Sequence, residues 1–182
     1  MSYDLKGKVA LITGASSGIG AATAVLFARC GAKLALTGRN ETNLQRTCDD
    51  CVRVLPAADD DDAAQRPLLI VADVCCEPDV VRLVDATVAK FGRLDVLVNS
   101  AGVAEFDSIE TTSLAQYDRV MAVNARAAFR LTTLCVPHLV ATRGNVVSVS
   151  SINATCGFPG DLVYSMSKAA LDQMTSLSLI HI

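Results

Sequence analysis

The chain has 182 residues, of which 51% are hydrophobic and 19% are charged, a composition that fits one globular domain with a sizeable core. Its net charge is −3 and its basic residues form no cluster, so we expect no nucleic-acid partner. No uncharged apolar run approaches the length of about 18 residues that spans a bilayer, and the polar start predicts neither a secretory signal nor a membrane partner.

Short apolar runs alternate with amphipathic stretches along the chain, a pattern typical of βαβ units and a parallel sheet. The strands are continuous Val, Ile and Leu runs, which predicts helices on both faces and hence an α/β, doubly wound sheet. Within the longest predicted helix, Ser113 is a candidate N-cap and Pro137 is expected to kink or end the helix. The predicted strands are 9–13, 33–37, 68–72, 94–99 and 145–150, and the predicted helices are 18–30, 41–54, 79–91, 113–140 and one from Leu162; residues 56–67 are predicted to form a solvated loop.

A glycine-rich turn follows the first predicted strand and leads directly into a helix. Its sequence is Thr13-Gly14-Ala15-Ser16-Ser17-Gly18-Ile19-Gly20. Glycines let the backbone approach a pyrophosphate closely, and the helix N-terminus supplies amide donors and a partial positive charge. The spacing is G-x-x-x-G-x-G rather than G-x-G-x-x-G, so an ordinary glycine-rich turn stays open as an alternative, and the strand–turn–helix setting favours phosphate binding.

The end of the second predicted strand bears on the choice of nucleotide. Sites for NAD place an acidic residue here, where it accepts hydrogen bonds from the ribose 2′-hydroxyl. In this chain Gly38 stands at that point and Arg39 follows it. A guanidinium pairs with a 2′-phosphate, which predicts NADP(H) over NAD, and a simple surface arginine is the alternative.

A phenol and an ammonium group are predicted to share one face of the last helix. Tyr164 and Lys168 are four residues apart, one turn of an α-helix. A free tyrosine has a pKa near 10, and a neighbouring Lys⁺ favours its phenolate form, so the pair makes a plausible acid–base unit. Ser151 comes at the carboxyl end of the fifth predicted strand, where open α/β sheets bind their ligands.

Taken together, these motifs resemble those of the short-chain dehydrogenase/reductase family. Residues 13–20 match its T-G-x-x-x-G-x-G motif, Asn99-Ser100-Ala101-Gly102 is similar to its N-N-A-G motif, and Asp73 resembles its aspartate after the third strand. The family's catalytic tetrad is matched by Asn124, Ser151, Tyr164 and Lys168. The resemblance runs from residue 7 to about 176, with the motifs in the family's order, and implies a Rossmann-type fold.

The resemblance implies an enzyme that transfers a hydride between NADP(H) and a carbonyl or secondary alcohol. Tyr164 would exchange a proton with the substrate oxygen, Lys168 would bind the nicotinamide ribose and hold down the pKa of the tyrosine, and Ser151 would hydrogen-bond the substrate oxygen. Asn124 would anchor a water in a proton relay to Lys168. The implied cofactor-binding residues are Gly14, Ser16, Ser17, Gly18, Ile19, Gly20, Arg39, Asp73, Val74, Asn99, Ala101, Gly102, Tyr164 and Lys168.

The chain departs from the family pattern at two places. Ser100 replaces the second asparagine of N-N-A-G, which we expect to weaken packing without loss of function. At the C-terminus, the family pattern adds more helix, a sixth and seventh strand and a substrate loop. We therefore expect residues 1–176 to be one partial domain, and Leu177–Ile182 to be a tail that is not native sequence.

Seven cysteines scattered through the predicted elements indicate reduced thiols in a cytoplasmic location. Cys48 and Cys51 form a C-x-x-C, but the spacing matches no zinc pattern and only two histidines are present, so we expect no metal.

Several functional alternatives remain: an NAD-preferring dehydrogenase of the same family, a nucleotide-binding protein without turnover, and an inactive fragment. For the complete protein we expect a small carbonyl or alcohol substrate and a homo-oligomer. Thioesters of 3-oxoacids, steroids, quinones and small ketones all stay open as substrates.

Overall fold

A computed structural model describes residues 4–55 and 66–178, and it confirms the α/β fold with one parallel, Rossmann-type sheet. Most of the predicted 56–67 loop and the last four residues of the predicted tail lie outside these ranges. The five strands follow the spatial order β3-β2-β1-β4-β5. The strands are β1 (Val9–Ile12), β2 (Lys33–Gly38), β3 (Leu68–Val71), β4 (Val96–Asn99) and β5 (Asn145–Ser148), and the helices are α1 (Gly18–Arg29), α2 (Glu41–Arg53), α3 (Glu77–Phe91), α4 (Leu114–Met121), α5 (Ala127–Thr142) and α6 (Leu162–Leu177).

Two apolar layers lie on opposite faces of the sheet, because successive side chains of a strand point to opposite sides. Val9 and Leu11 of β1 pack with the buried side chains of α3 and α5. Ala10 and Ile12, the alternate residues of the same strand, pack with α1 and α2. All four side chains of β1 are buried, so the central strands have helices on both faces, as their continuous apolar sequences predict.

The edge strand β5 differs from the centre of the sheet. Its register pairs Val96 with Asn145 and Asn99 with Ser148, and within the described residues it has a neighbour only on the β4 side. Val147 is 45% exposed, although it belongs to an apolar run. Helices cover both faces at the centre of the sheet, as predicted, while one face of β5 is more exposed among the described residues.

The longest predicted helix is divided by a change of helical pitch. Ser113 caps α4, as predicted, and its hydroxyl accepts a 3.1 Å hydrogen bond from the amide of Gln116. A π-helical segment, Ala122–Arg126, then separates α4 from α5. Pro137, predicted to kink or end the helix, does not end it, because it lies inside α5, which continues to Thr142. The other predicted boundaries agree with the structure to within about two residues, the usual scatter of helix and strand ends.

The cysteines differ in burial. All seven are free thiols, and Cys48, Cys51 and Cys135 are buried. Burial raises the pKa of Cys51 and of Cys135 to about 12, so both thiols stay protonated at neutral pH. Within residues 4–55 and 66–178, no three His, Cys, Asp or Glu side chains are placed to hold a metal ion. In the same part of the chain, no helix is both long and apolar enough to cross a membrane.

Candidate active site

A cavity of about 440 Å³ opens where the carboxyl ends of the strands meet, and it gathers most of the predicted site residues. This edge of an open α/β sheet is where such folds bind ligands. Four predicted residues do not line the cavity, although each lies next to a residue that does: Gly20, Asn99, Asn124 and Ser151. The predicted residues that line it are Gly14, Ser16, Ser17, Gly18, Ile19, Arg39, Asp73, Val74, Ala101, Gly102, Tyr164 and Lys168.

The glycine-rich turn brings the N-terminus of α1 against the floor of the cavity. A Cβ atom added to Gly20 would lie 2.4 Å from the carbonyl oxygen of Gly14, which is far inside van der Waals contact. The first turn of α1 can approach the turn this closely only because that side chain is missing. Ser17 is the N-cap residue, and its side chain makes no capping hydrogen bond to the first amides of the helix. Those amides face the turn without a local side-chain acceptor.

Thr13 joins the turn to the loop after β4, a role that the sequence analysis did not assign. Its hydroxyl donates to the carbonyl of Val98 at 3.3 Å and accepts from the amides of Ser100 and Ala101 at 3.0 and 3.1 Å. Asn99 is buried, and its side-chain amide donates to the hydroxyl of Thr132 on α5 at 3.1 Å. Both residues therefore hold the walls of the cavity in place without facing into it.

At the end of β2, a side chain at position 38 would crowd Ser16. A Cβ atom on Gly38 would lie 2.9 Å from the hydroxyl oxygen and 3.0 Å from the Cβ of Ser16. Ser16 and the exposed Arg39 both line this end of the cavity. In the described part of the chain, Arg39 takes part in no salt bridge, so its charge is available to an anion here.

At the other end of the cavity, α6 carries Tyr164 and Lys168 one turn apart, as their spacing predicts. The ammonium of Lys168 is 5.7 Å from the centre of the Tyr164 ring and donates a 2.8 Å hydrogen bond to the carbonyl of Val149. Lys168 is only 5% exposed, and burial lowers the pKa of its ammonium, while the nearby charge of Asp172 partly opposes that shift. The positive charge therefore lies beside the phenol in a poorly hydrated position.

The π-helical segment places Asn124 next to this pair. Its side-chain oxygen accepts from the amide of Val103 at 2.8 Å, and its NH₂ group donates to the carbonyl of Val103 at 2.8 Å and to the hydroxyl of Ser167 at 2.9 Å. A Cβ atom on Gly102 would lie 3.4 Å from the oxygen of Asn124 and 3.6 Å from the nitrogen of Lys168. Both N–H groups of Asn124 are therefore already used, and its side chain ties α6 to the loop after β4.

Ser151 begins a short 3₁₀ turn and bonds to a close neighbour. Its hydroxyl accepts from the amide of Asn153 at 3.2 Å and donates to the side-chain oxygen of the same residue at 3.3 Å. The adjacent Ser150 lines the cavity instead, and its buried hydroxyl has no hydrogen-bond partner among the described residues.

Several lining residues were not predicted from the sequence. Most of them directly follow or precede a predicted residue, which is the signal that would have found them. Val123 directly precedes Asn124, whereas Ala104 and Val149 are each two residues away from a predicted residue and carry no such signal. The additional lining residues are Gly38, Ala72, Ser100, Val103, Ala104, Val123, Val149 and Ser150.

Comparison with known proteins gives consistent relatives. The model of the short chain dehydrogenase family matches residues 8–178. An uncharacterized oxidoreductase of Thermotoga maritima is 40% identical over 173 residues, which cover 94% of this chain and 64% of that protein. The structure of a metagenomic short-chain oxidoreductase in complex with NADP is similar with a TM-score of 0.85 and 30% identity, covering 96% of this chain and 76% of that one. The structure of an NAD⁺-bound xylitol dehydrogenase has a TM-score of 0.86 and 28% identity, with 96% and 64% covered.

The family match includes the glycine-rich turn, all five strands and the helix that carries Tyr164 and Lys168. The chain spans slightly less than two thirds of the length of the Thermotoga relative, at 64%. Of the two structural neighbours described above, one holds NADP and the other NAD⁺. The sequence match over residues 8–178 and the shared fold place this chain in the short-chain dehydrogenase family of oxidoreductases.

Proposed function

We propose that the full-length protein is an NADP(H)-dependent oxidoreductase that interconverts a carbonyl and a secondary alcohol. The observation that carries the proposal is the buried ammonium of Lys168 beside the phenol of Tyr164, at one end of a cavity that begins at a glycine-rich turn. A buried charge lowers the stability of the folded state. The position of the Lys168 ammonium beside a phenol therefore favours a chemical role for the lysine. Family membership supports the reaction class.

The residues present fit a dinucleotide. The uncapped amides at the start of α1 and the closely packed turn around Gly20 suit a pyrophosphate. Asp73 and Val74 line the cavity after β3 and would hold the adenine, while Ala101 and Gly102 would line the cleft towards the nicotinamide. When bound, the nicotinamide cofactor supplies or accepts the hydride, and the protein contributes position and proton transfer.

The proposed preference for NADP(H) rests on Ser16, Gly38 and Arg39. The usual carboxylate acceptor for a ribose 2′-hydroxyl is missing at position 38, where even a Cβ atom would crowd the Ser16 side chain. The Ser16 hydroxyl and the Arg39 guanidinium border the same end of the cavity and would pair with a 2′-phosphate.

Proton transfer is proposed to run through Tyr164. The neighbouring Lys168 ammonium places a positive charge beside the phenol that would exchange the proton. Ser151 would turn its hydroxyl from Asn153 towards the substrate oxygen. Because the amide hydrogens of Asn124 are already bonded, we propose that its side chain holds Val103 and Ser167 in place.

The test begins with the complete coding sequence. The full-length protein is screened with NADPH and with NADH against 3-oxoacyl thioesters, steroids, quinones and small ketones, and the loss of reduced cofactor is followed by absorbance. We expect turnover of at least one carbonyl class with NADPH favoured. Binding of NADPH without turnover of any class would support a nucleotide-binding protein instead.

A further inference from the structure

A buried carboxylate from a distant part of the chain caps α6, the helix that carries Tyr164. Asp107, in the loop between β4 and α4, is 6% exposed. Its two carboxylate oxygens lie 3.3 and 3.2 Å from the amide nitrogen of Val163, the second residue of α6. The backbone amide of Asp107 donates to the carbonyl of Gly160 at 2.9 Å. The loop and the start of the helix are thus joined by both main-chain and side-chain bonds.

Helix α6 has no cap of its own. Asp161 occupies its N-cap position, but the side chain makes no capping hydrogen bond and instead accepts from the side-chain amide of Asn153 at 2.9 Å. A capping side chain ordinarily bonds the amide of the second or third helical residue. Asp107 makes that bond to Val163 from 56 residues away in the sequence.

The capping group is a carboxylate although a neutral side chain would make the same bond. Within residues 4–55 and 66–178, no salt bridge includes Asp107, and an unpaired buried carboxylate is costly. The positive end of the helix dipole offsets part of this cost, because α6 is 16 residues long and the carboxylate stands at its first turn. The contact between the Asp107 carboxylate and the first turn of α6 therefore attaches the start of the helix to the loop.

The loop that carries Asp107 is itself attached to α4, which holds the capping carboxylate in place. Two residues before Asp107, the carboxylate of Glu105 accepts hydrogen bonds of 2.6 and 2.5 Å from the guanidinium of Arg119 on α4. Tyr164 immediately follows the capped residue Val163. Any axial shift of the helix start would therefore move the phenol relative to the end of β5, where Val149 receives the Lys168 ammonium.

We propose that Asp107 is a positioning residue that fixes the start of α6, and with it the phenol of Tyr164, relative to the cavity. This inference rests on the proposed function, since the consequence of the positioning is proton transfer. It assigns Asp107 no contact with substrate or cofactor: the carboxylate acts through the backbone of Val163.

The experiment compares three substitutions of Asp107 in the full-length protein with Ser108→Ala as the control on the same loop. Asp107→Ala removes the acceptor, Asp107→Asn keeps an acceptor oxygen in place, and Asp107→Glu keeps the charge but displaces it by one methylene. We measure kcat, KM, NADPH affinity by fluorescence, and hydrogen exchange at the amide of Val163.

We expect Asp107→Ala to lower kcat by about 10- to 100-fold, the range for a catalytic group displaced by up to roughly 1 Å, with NADPH affinity nearly unchanged. Exchange at Val163 speeds up, Asp107→Asn restores most of kcat, and Asp107→Glu does not. The control keeps its kcat.

A wild-type kcat in Asp107→Ala, or equal losses of kcat in the Asn and Glu variants, overturns the inference. If Asp107→Ala does not fold, the Asn and Glu variants decide in the same way. A wild-type protein that reduces no carbonyl refutes the proposed function instead, and unchanged exchange at Val163 in the Ala and Glu variants would then refute the cap.

Discussion

The ammonium of Lys168 lies 5.7 Å from the centre of the Tyr164 ring, on the next turn of the same helix. Among the described residues, the ammonium donates one hydrogen bond, to the carbonyl of Val149. This single bond offsets little of the hydration that the ammonium loses on burial. Burial lowers the pKa of Lys168, which means that the folded state disfavours the charged form. The fold thus places a destabilising positive charge directly beside the Tyr164 ring.

The first prediction concerns the phenol. In the full-length enzyme, Tyr164→Phe should lower kcat by about 10²- to 10⁴-fold, because general acid–base help is typically of that size and a phenyl ring cannot transfer a proton. NADPH affinity should be almost unchanged, since the ring is kept. Steady-state rates on an accepted substrate and fluorescence titration measure the two effects. A loss of kcat below about tenfold would remove Tyr164 from the acid–base role.

The second prediction separates activity from stability at Lys168. Lys168→Met should abolish most of the activity, while the melting temperature at neutral pH stays the same or rises, because an apolar side chain replaces a buried charge. The folded-state pKa is lowered, so the destabilising effect of the ammonium is present at neutral pH and disappears as pH rises towards the unfolded value of about 10.4. Any stability gained by the variant should therefore shrink at alkaline pH. A variant that melts well below the wild type at pH 7 would contradict this account.

The fold and the cavity walls were largely predictable because their determinants are local. Buried parallel strands require apolar runs, and the start of α1 requires glycine at position 20, so both features can be recognised in the sequence. The four-residue spacing of Tyr164 and Lys168 likewise fixes their relation once a helix is assumed.

Other features depend on contacts between distant segments, and the sequence pattern does not contain them. The π-helical segment at Ala122–Arg126 adds a residue to one turn without a proline or glycine to mark it. The cap of α6 comes from Asp107, 56 residues before Val163, rather than from the adjacent Asp161. The exposure of Val147 depends on which segments pack on its face of β5, and its own apolar sequence does not contain this information.

The third prediction tests the nucleotide preference. Arg39→Asp should erase or reverse the preference for NADPH, because a charge-assisted bond to phosphate contributes about 1.5–3 kcal/mol, equivalent to roughly 10- to 150-fold in affinity. Arg46→Asp makes the same change of charge on the exposed face of α2 and should leave the preference intact. Fluorescence titrations with NADPH and NADH measure both variants. Equal affinities for the two nucleotides in the wild type would show that Arg39 does not select the cofactor.

The fourth prediction concerns the packing of the glycine-rich turn. Gly20→Ala should prevent nucleotide binding or destabilise the fold, because the new Cβ would stand 2.4 Å from the carbonyl oxygen of Gly14 and force the helix away from the turn. Gly157→Ala is the matched control, since a Cβ there meets nothing within 4 Å. Nucleotide titration and thermal melting report the two effects. Full affinity together with an unchanged melting temperature in Gly20→Ala would mean that the turn adjusts without cost.

At the opposite end of the sheet, Asp95 joins β1 to the segment before β4. Its side chain is 2% exposed, and it accepts hydrogen bonds from the amide of Val9 at 3.0 Å, from Lys8 at 3.2 Å and from Arg93 at 2.8 and 2.6 Å. Burial by itself would raise the pKa of Asp95, but the bonds from Arg93, Val9 and Lys8 outweigh burial and lower it. The folded protein therefore favours the ionised carboxylate.

The last prediction follows from that lowered pKa. Asp95→Ala should cost on the order of 3 kcal/mol at pH 7, because it leaves the amide of Val9 and two cations without their acceptor, although Lys8 and Arg93 are each partly solvated. Asp50→Ala removes an exposed ion pair with Arg53 and should have little effect on the free energy of unfolding.

The stabilisation from Asp95 depends on pH: it is present above the unfolded pKa of about 3.9 and is lost as pH falls through the lower folded value. Urea unfolding at pH 7 and at pH 3 should therefore show a smaller gap between wild type and Asp95→Ala at the lower pH. A gap that is constant across this range would show that the carboxylate acts only by filling space.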